Sequence, residues 1–463
     1  MDYDLIVIGS GPGGYVAAIR ASQLKMKVAV VERAELGGVC LNWGCIPTKS
    51  LLKSAQVFDY LSHASDYGIS VKGGIQPDFD AMISRSRGVA DSMSKGVQFL
   101  FRKNNIEHIV GFGSLKGATI VEVEDAAGNK KTFSAGNILL ATGARSKELP
   151  GIRQDGEKII GYREAMSLKK QPGSMVIVGS GAIGCEFAGF YRSIGTEVTL
   201  VEFLPRILPN EDEEVSKQLE RIFKKQKIKV LTGSSVESAE VKGEKCFVTV
   251  KTPKGDEVLE TDVVLSAVGI TSNIEGIGLE KSGIRTENGK VLIDDFYMTN
   301  IPGVFAIGDI VHGPALAHVA SAEGIICVEK IAGLEPEPLD YGNIPSCIYT
   351  NPEVASCGFT EEGARQAGFE IKTGKFPFSA SGRARASGSR EGFVKLIFDS
   401  VYGELLGAHM IGDNVTELIG EIVVARKLET TAHEMIKAVH PHPTMSEAIM
   451  EAAANAYGES VNL

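Results

Sequence analysis

Two cysteines, Cys40 and Cys45, are separated by four residues in the segment Gly37-Gly38-Val39-Cys40-Leu41-Asn42-Trp43-Gly44-Cys45-Ile46-Pro47-Thr48-Lys49. A bent backbone can close such a pair into a small-loop disulfide. Pro47 suits the first turn of a following helix, which puts Cys45 near that helix's positive end, where a thiolate is stabilised. A zinc site, a pair of inert thiols and a redox pair are all conceivable. Zinc needs two further ligands, and no second Cys/His pair of suitable spacing exists, so the redox pair accounts for the pattern best. The other five cysteines, Cys185, Cys246, Cys327, Cys347 and Cys357, stand among apolar neighbours and read as small core residues.

A second constellation is His440-Pro441-His442-Pro443-Thr444-Met445-Ser446-Glu447. Its prolines exclude a helix interior and hold the histidines in an extended or turn conformation. A histidine oriented by a carboxylate can take a proton from a thiol near neutral pH. The same residues could also form a metal site or a rigid surface turn. The cysteine pair favours the base, because thiol–disulfide exchange needs a thiolate.

Such groups need a scaffold, and an internal repeat supplies one. Residues 3–32 and 173–202 match at a constant offset of 170, pairing Gly9, Gly11, Gly14 and Glu32 with Gly179, Gly181, Gly184 and Glu202. Each copy reads as an apolar strand, a glycine turn, a helix and a second strand ending in glutamate. In that setting GxGxxG is a strong dinucleotide-binding pattern: the glycines let a pyrophosphate approach a helix N-terminus, and the glutamate faces ribose hydroxyls. Two such sites suggest two dinucleotides that exchange electrons. The run NILLATG, containing Thr142 and Gly143, and the run VFAIGD, ending in Asp309, read as further buried strands whose carboxyl ends face a ligand.

Residues 50–104 read as helical, and 105–136 and 228–265 as small antiparallel sheets. Beyond about residue 345 the composition turns β-rich, with a helix at VTELIGEIVVARK and an alanine-rich end. The stretch FSASGRARASGSREG reads as a solvated loop. The 463 residues are enough for three or four domains. A net charge of −10 argues against nucleic acid or an anionic membrane as partner. The sequence has neither a signal-like leader nor a run of 18 apolar residues, so a soluble, cytoplasmic protein is expected.

Together GGVCLNWGCIPTKSLL, the two GxGxxG units, ATG, FAIGD and HPHPTMSE resemble the pyridine nucleotide-disulfide oxidoreductases, in the family's order and over essentially the whole chain. The resemblance implies an α/β fold with two Rossmann-like domains and a C-terminal α+β dimerisation domain. The expected division is FAD-binding at 1–147, NAD-binding at 148–272, a central part completing the FAD site at 273–344, and the interface at 345–463. It also implies a homodimer whose active site is shared across the interface. Cys40 would be the interchange thiol and Cys45 the thiolate against the flavin. His442, oriented by Glu447, would be the base from the other subunit, with His442–Pro443 expected to be cis. Lys49, paired with Glu186, would stand beside the flavin. Gly113, Gly143, Asp309 and Ala317 would contact FAD, and Val236 and Gly269 would contact NAD.

Within the family the wording is closest to the members that oxidise dihydrolipoyl groups with NAD⁺. Their partners are the lipoyl domains and core acyltransferase of 2-oxo acid dehydrogenase complexes, or the glycine-cleavage H protein. Glu202 suits the free 2′-hydroxyl of NAD, which disfavours an NADP-dependent glutathione-type reductase. A non-catalytic flavoprotein subunit is the other alternative, opposed by retention of both cysteines, His442 and Glu447. One departure stands out: where many relatives have arginine after the glycine of the Val-Gly strand end, Gly269 is followed by Ile270.

Overall fold

In the computed structural model, which describes residues 1–463, the two repeat units each open a parallel sheet. In the first, the strand order is Glu107–Val110, Val28–Glu32, Tyr3–Ile8, Lys130–Leu140, Val304–Ala306, all parallel where they pair. In the second it is Lys229–Leu231, Glu197–Val201, Ser174–Val178, Val263–Ser266, Ile159–Ile160, again parallel. Their central strands are apolar and buried at nearly every position, as expected of sheets covered on both faces.

Residues 105–136 and 228–265 are therefore only partly antiparallel. Glu107–Val110 and Lys229–Leu231 are parallel edge strands, and Val263–Ser266 lies inside the second sheet. The antiparallel parts are Phe112–Leu115, Ile120–Glu124 and the first half of Lys130–Leu140, and the meander Ser235–Lys242, Lys245–Thr252, Gly255–Thr261. Alternation predicts a half-buried strand but not its partner's direction. Nor is 50–104 one helix. Cys45–Ser62 and Phe79–Lys103 are separate, with Asp78 capping the second through the Ala81 N–H.

The C-terminal sheet is antiparallel, ordered Ser346–Ile348, Glu353–Gly358, Leu405–Gly412, Phe393–Asp399, Ile371–Pro377. The helices Val415–Lys427 and Glu447–Asn455 pack on it and share its core through Ile419, Ile422, Ile449 and Ala452. The supposed loop at 378–392 contains the helix Gly382–Ser387, capped by Ser381, and buries Phe378. A single buried cation ties this domain to the second repeat unit. Lys395, 4% exposed, reaches Asp212, Glu214 and Glu361 at 3.1, 2.9 and 2.7 Å. Asp212 in turn caps the helix Glu213–Lys225. No helix is long and apolar enough to cross a membrane.

Candidate active site

A cavity of about 2160 Å³ runs past the carboxyl ends of both parallel sheets, well beyond the roughly 300–1,000 Å³ of a single small-ligand pocket. It reaches the strand ends of both units, the cysteine segment and the edge of the C-terminal sheet at Cys347 and Tyr349.

The two glycine turns are built alike. Gly9 and Gly179 take left-handed backbones, with φ of 105° and 98°. A Cβ on Gly14 would stand 2.0 Å from the Gly9 carbonyl oxygen, and one on Gly184 would stand 1.9 Å from that of Gly179. These third glycines do not line the cavity. They let the helix sit on its strand. Gly11 and Gly181 do line it, with open space where a Cβ would be. The Ser10 N–H and hydroxyl donate to Glu32 at 2.9 and 2.8 Å, and those of Ser180 donate to Glu202 at 2.9 and 2.6 Å. Both carboxylates line the cavity. The serine half of each pair was visible in the repeat, but sequence reasoning gave it no role.

The cysteines stand where two helices meet. Gly38–Trp43 ends at Gly44, and Cys45–Ser62 begins at once, putting Cys45 on the helix's first turn. The two Sγ atoms are 2.6 Å apart, both as thiols. Cys45 is lowered to about 7, first by the hydrogen bond from the Cys40 thiol and further by the Lys49 ammonium, against burial. Cys40 is pushed up because its proton is held in that bond and because it is buried. The pair is thus asymmetric, with Cys40 the donor and Cys45 the more readily ionised thiol.

Lys49, one turn along the same helix, lies 2.9 Å from both oxygens of Glu186 on the second unit's helix Ala182–Ser193. The Tyr349 N–H donates to Glu186 at 3.0 Å, and the Tyr349 ring lies 4.4 Å from the Lys49 ammonium. Tyr349 had no signal in the sequence. Cys347, expected in the core, is half-buried and lines the cavity.

Gly113, Thr142, Gly143, Asp309 and Ala317 also line the cavity, as do Val236 and Gly269 on the side of the second unit. The Thr142 hydroxyl donates to the Asn273 carbonyl at 2.7 Å, holding the ATG turn in place. Burial raises the Asp309 carboxyl, opposed by the Lys290 ammonium. Ala317 opens the helix Ala317–Ile331, so that a helix N-terminus faces the cavity. Ile270–Ser272 pairs with Ala144–Ser146 as a two-stranded link between the units.

His442 and Glu447 do not line this cavity. Their side chains meet at 2.8 Å, and the Thr444 N–H also donates to Glu447 at 2.8 Å. Burial raises the Glu447 carboxyl, but Thr444 and His442 outweigh it and the net shift is downward. The His442 ring is 79% exposed, and the His442–Pro443 peptide is cis. His440 pairs instead with Glu421 at 2.8 Å. The chain thus brings together the cysteines, Lys49, Glu186 and both glycine turns, and leaves the histidine–glutamate pair facing outward.

Residues 3–324 match the model of the pyridine nucleotide-disulphide oxidoreductase family, and residues 344–453 match that family's dimerisation domain. The chain is 46% identical to the dihydrolipoyl dehydrogenase of Rhizobium etli and 47% identical to that of Zymomonas mobilis, in both cases over 99% of each chain. That of Bacillus subtilis is 41% identical over the whole of this chain and 99% of its own. Among solved structures, LpdA from Mycobacterium tuberculosis superposes with a TM-score of 0.90 at 28% identity, over 97% of this chain and 98% of that one.

Proposed function

Because the chain belongs to the pyridine nucleotide-disulphide oxidoreductase family, we propose that it oxidises dihydrolipoyl groups with NAD⁺ through a Cys40–Cys45 redox pair and FAD. The observation that carries this reading is the pair itself: two thiols whose Sγ atoms lie 2.6 Å apart, on a cavity shared with two dinucleotide-type glycine turns, with Cys45 held below the ordinary thiol range by the Cys40 thiol and Lys49.

The residues present fit both dinucleotides. The open space at Gly11 and Gly181 is where a side chain would obstruct a pyrophosphate. On the first unit Gly9, Gly11, Glu32, Gly113, Thr142, Gly143, Asp309, Ala317 and Lys49 would hold FAD, with Gly14 packing the turn. On the second, Gly179, Gly181, Glu202, Val236 and Gly269 would hold NAD, with Gly184 doing the same. The four-part division at residues 147, 272 and 344 follows from this reading. FAD, when bound, supplies the carrier between the dithiol's electron pair and the nicotinamide.

Turnover starts from the oxidised pair. His442 of the partner subunit, oriented by Glu447 of the partner subunit, takes the proton from one substrate thiol. The thiolate attacks Cys40 Sγ, the Cys40–Cys45 bond breaks, and Cys45 leaves as the stabilised thiolate. The second substrate thiol then attacks the mixed disulfide and closes the lipoyl ring, its proton passing to the Cys40 thiolate it expels, and the first proton leaves the partner's His442 as the H⁺ of the overall reaction. Two electrons now rest on the protein dithiol, and overall dihydrolipoyl plus NAD⁺ gives lipoyl plus NADH and H⁺. Lys49, steadied by Glu186 and Tyr349, places a positive charge where charge develops beside the thiolate.

A homodimer supplies the second copy. Around the His442 segment, Val439, Leu428 and Val424 are 97%, 72% and 60% exposed, an apolar face suited to cover by another chain. The lipoyl carriers would be those of a 2-oxo acid dehydrogenase or glycine-cleavage complex, in the cytoplasm. The deciding assay compares NAD⁺ reduction by dihydrolipoamide with NADPH oxidation by glutathione disulfide. A yellow protein active only in the first is expected. Activity in the second alone, or in neither with flavin bound, overturns the reading.

A further inference from the structure

Trp43, the chain's single tryptophan, sits between the two cysteines in sequence, at the end of the helix Gly38–Trp43. Two arginines converge on its ring. The Arg87 guanidinium carbon lies 3.9 Å from the ring centroid and that of Arg163 lies 4.6 Å from it. The indole N–H is buried and makes no hydrogen bond, so the ring's position is set by what lies against its faces and by apolar packing, not by its polar edge. Bringing two like charges to one ring is unfavourable, and the Arg87 guanidinium is lowered first by burial and then by the nearby Arg163, against Asp91 and Glu35. The attraction of both cations to the π system offsets that repulsion.

The arginines come from different parts of the molecule. Arg87 is on the long helix Phe79–Lys103 and also donates to the Asn42 carbonyl at 2.6 Å. Asn42 is itself buried, its amide donating to the Leu36 and Gly38 carbonyls at 2.9 and 3.0 Å. Arg163 is on the short helix Tyr162–Ala165, which follows the edge strand of the second unit's sheet. Through Arg163 the second unit reaches the segment that carries the redox pair. Everything between Cys40 and Cys45 is thus tied at Asn42 and Trp43 by contacts from both units.

We propose that Arg87 and Arg163 are positioning residues for the redox pair: they hold Trp43 and thereby fix the segment that keeps Cys40 against Cys45. The proposal rests on Cys40 and Cys45 being the redox pair. Neither arginine touches a sulfur. Their effect is geometric, since the ionisation of Cys45 depends first on how close the Cys40 thiol lies.

The test uses Arg163→Gln in the flavin-loaded protein. Arg163 is exposed, so the fold should survive, and a thermal melt checks this. With one tryptophan in the chain, intrinsic emission reports Trp43 alone, and a shifted maximum is expected. The thiolate–flavin absorbance band of the reduced protein should titrate about one pH unit higher, roughly tenfold less thiolate below the midpoint. Turnover should fall several-fold with KM for NAD⁺ unchanged. Arg163→Lys should restore part of both, and Trp43→Phe, which keeps a ring, should resemble the wild type more than Trp43→Leu does. Unchanged emission, or altered emission with wild-type band midpoint and turnover, overturns the proposal. A wild-type protein that binds flavin but shows no band overturns instead the redox-pair reading beneath it.

Discussion

The two repeat units make the same turn and yet are enclosed differently. Position 13 of the first unit corresponds to position 183 of the second. At 13 a Cβ would meet the Ile307 side chain at 2.9 Å and the Ala320 carbonyl at 3.0 Å, because the helix Ala317–Ile331 lies across the first unit's helix. At 183 the residue is isoleucine, 36% exposed on the cavity wall. The pressure is mutual, since a Cβ on Gly324 would stand 2.7 Å from the Gly13 carbonyl. Beyond the acidic strand ends the two units differ in what they lead to. Both strands run first into exposed residues, 33–35 in the first unit and Phe203 and Leu204 in the second, but only the first then leads into the half-buried cysteine segment. A roofed site suits a cofactor that stays, and an open one suits a cosubstrate that comes and goes each turnover.

The largest expected difference between the units concerns chemistry. Cys45→Ser should lower turnover by more than about 10³-fold, as loss of one member of a nucleophilic unit does. NADH binding to the second unit should persist, measured by fluorescence titration. Equal loss of both would break the division of labour. Next comes ionisation. In the reduced protein Cys45 should alkylate with a midpoint near pH 7, while Cys185, on the second unit's helix and pushed up by burial, stays unlabelled until unfolding. The sign for stability follows. A depressed acid stabilises the fold fully above its unfolded value, so the reduced protein should lose stability as pH falls from 9 towards 7. A melting temperature independent of pH across that window would count against the thiolate.

A substitution swap sharpens the comparison of enclosure. Gly13→Val should cost about 1–3 kcal/mol by overpacking and release flavin, followed by loss of yellow colour on desalting. Ile183→Gly should cost about 1 kcal/mol, mostly helix propensity, and alter only KM for NAD⁺. If Gly13→Val retained its flavin, the helix Ala317–Ile331 would not be what encloses the first site.

What the sequence made legible follows the same line. The repeat could be read because its constraints are local: a glycine that must avoid the carbonyl five residues back, as Gly14 avoids Gly9, and a serine beside the turn, are written at fixed offsets. The cysteine pair was legible for that reason too. What could not be read depends on elements far apart in the chain. Nothing near residue 13 announces the helix at 317, and nothing near Trp43 announces Arg163. Cys347, apolar by its neighbours, turns out to line the cavity because its edge strand lies against the second unit's helix Ala182–Ser193. The solvated-loop expectation for 378–392 failed likewise: small polar residues there include a capping serine and a buried Phe378.

The smallest expected effect tests whether the two acidic strand ends, nearly identical in geometry, do equivalent work. Ser10→Ala and Ser180→Ala each remove one hydroxyl donor to a carboxylate while leaving the backbone N–H in place. Each should cost about 1 kcal/mol. Glu32 keeps three further donors, the N–H groups of residues 10, 33 and 34, whereas Glu202 keeps those of residues 180 and 204. The first carboxylate is therefore the better held, and its variant should lose flavin only slightly faster. The second should raise KM for NAD⁺ several-fold with turnover at saturation unchanged, because a loosened Glu202 must be re-ordered each time the nucleotide returns. A KM change in Ser10→Ala equal to that in Ser180→Ala would mean that the units share one ligand path, and that the enclosure of the first does not set it apart.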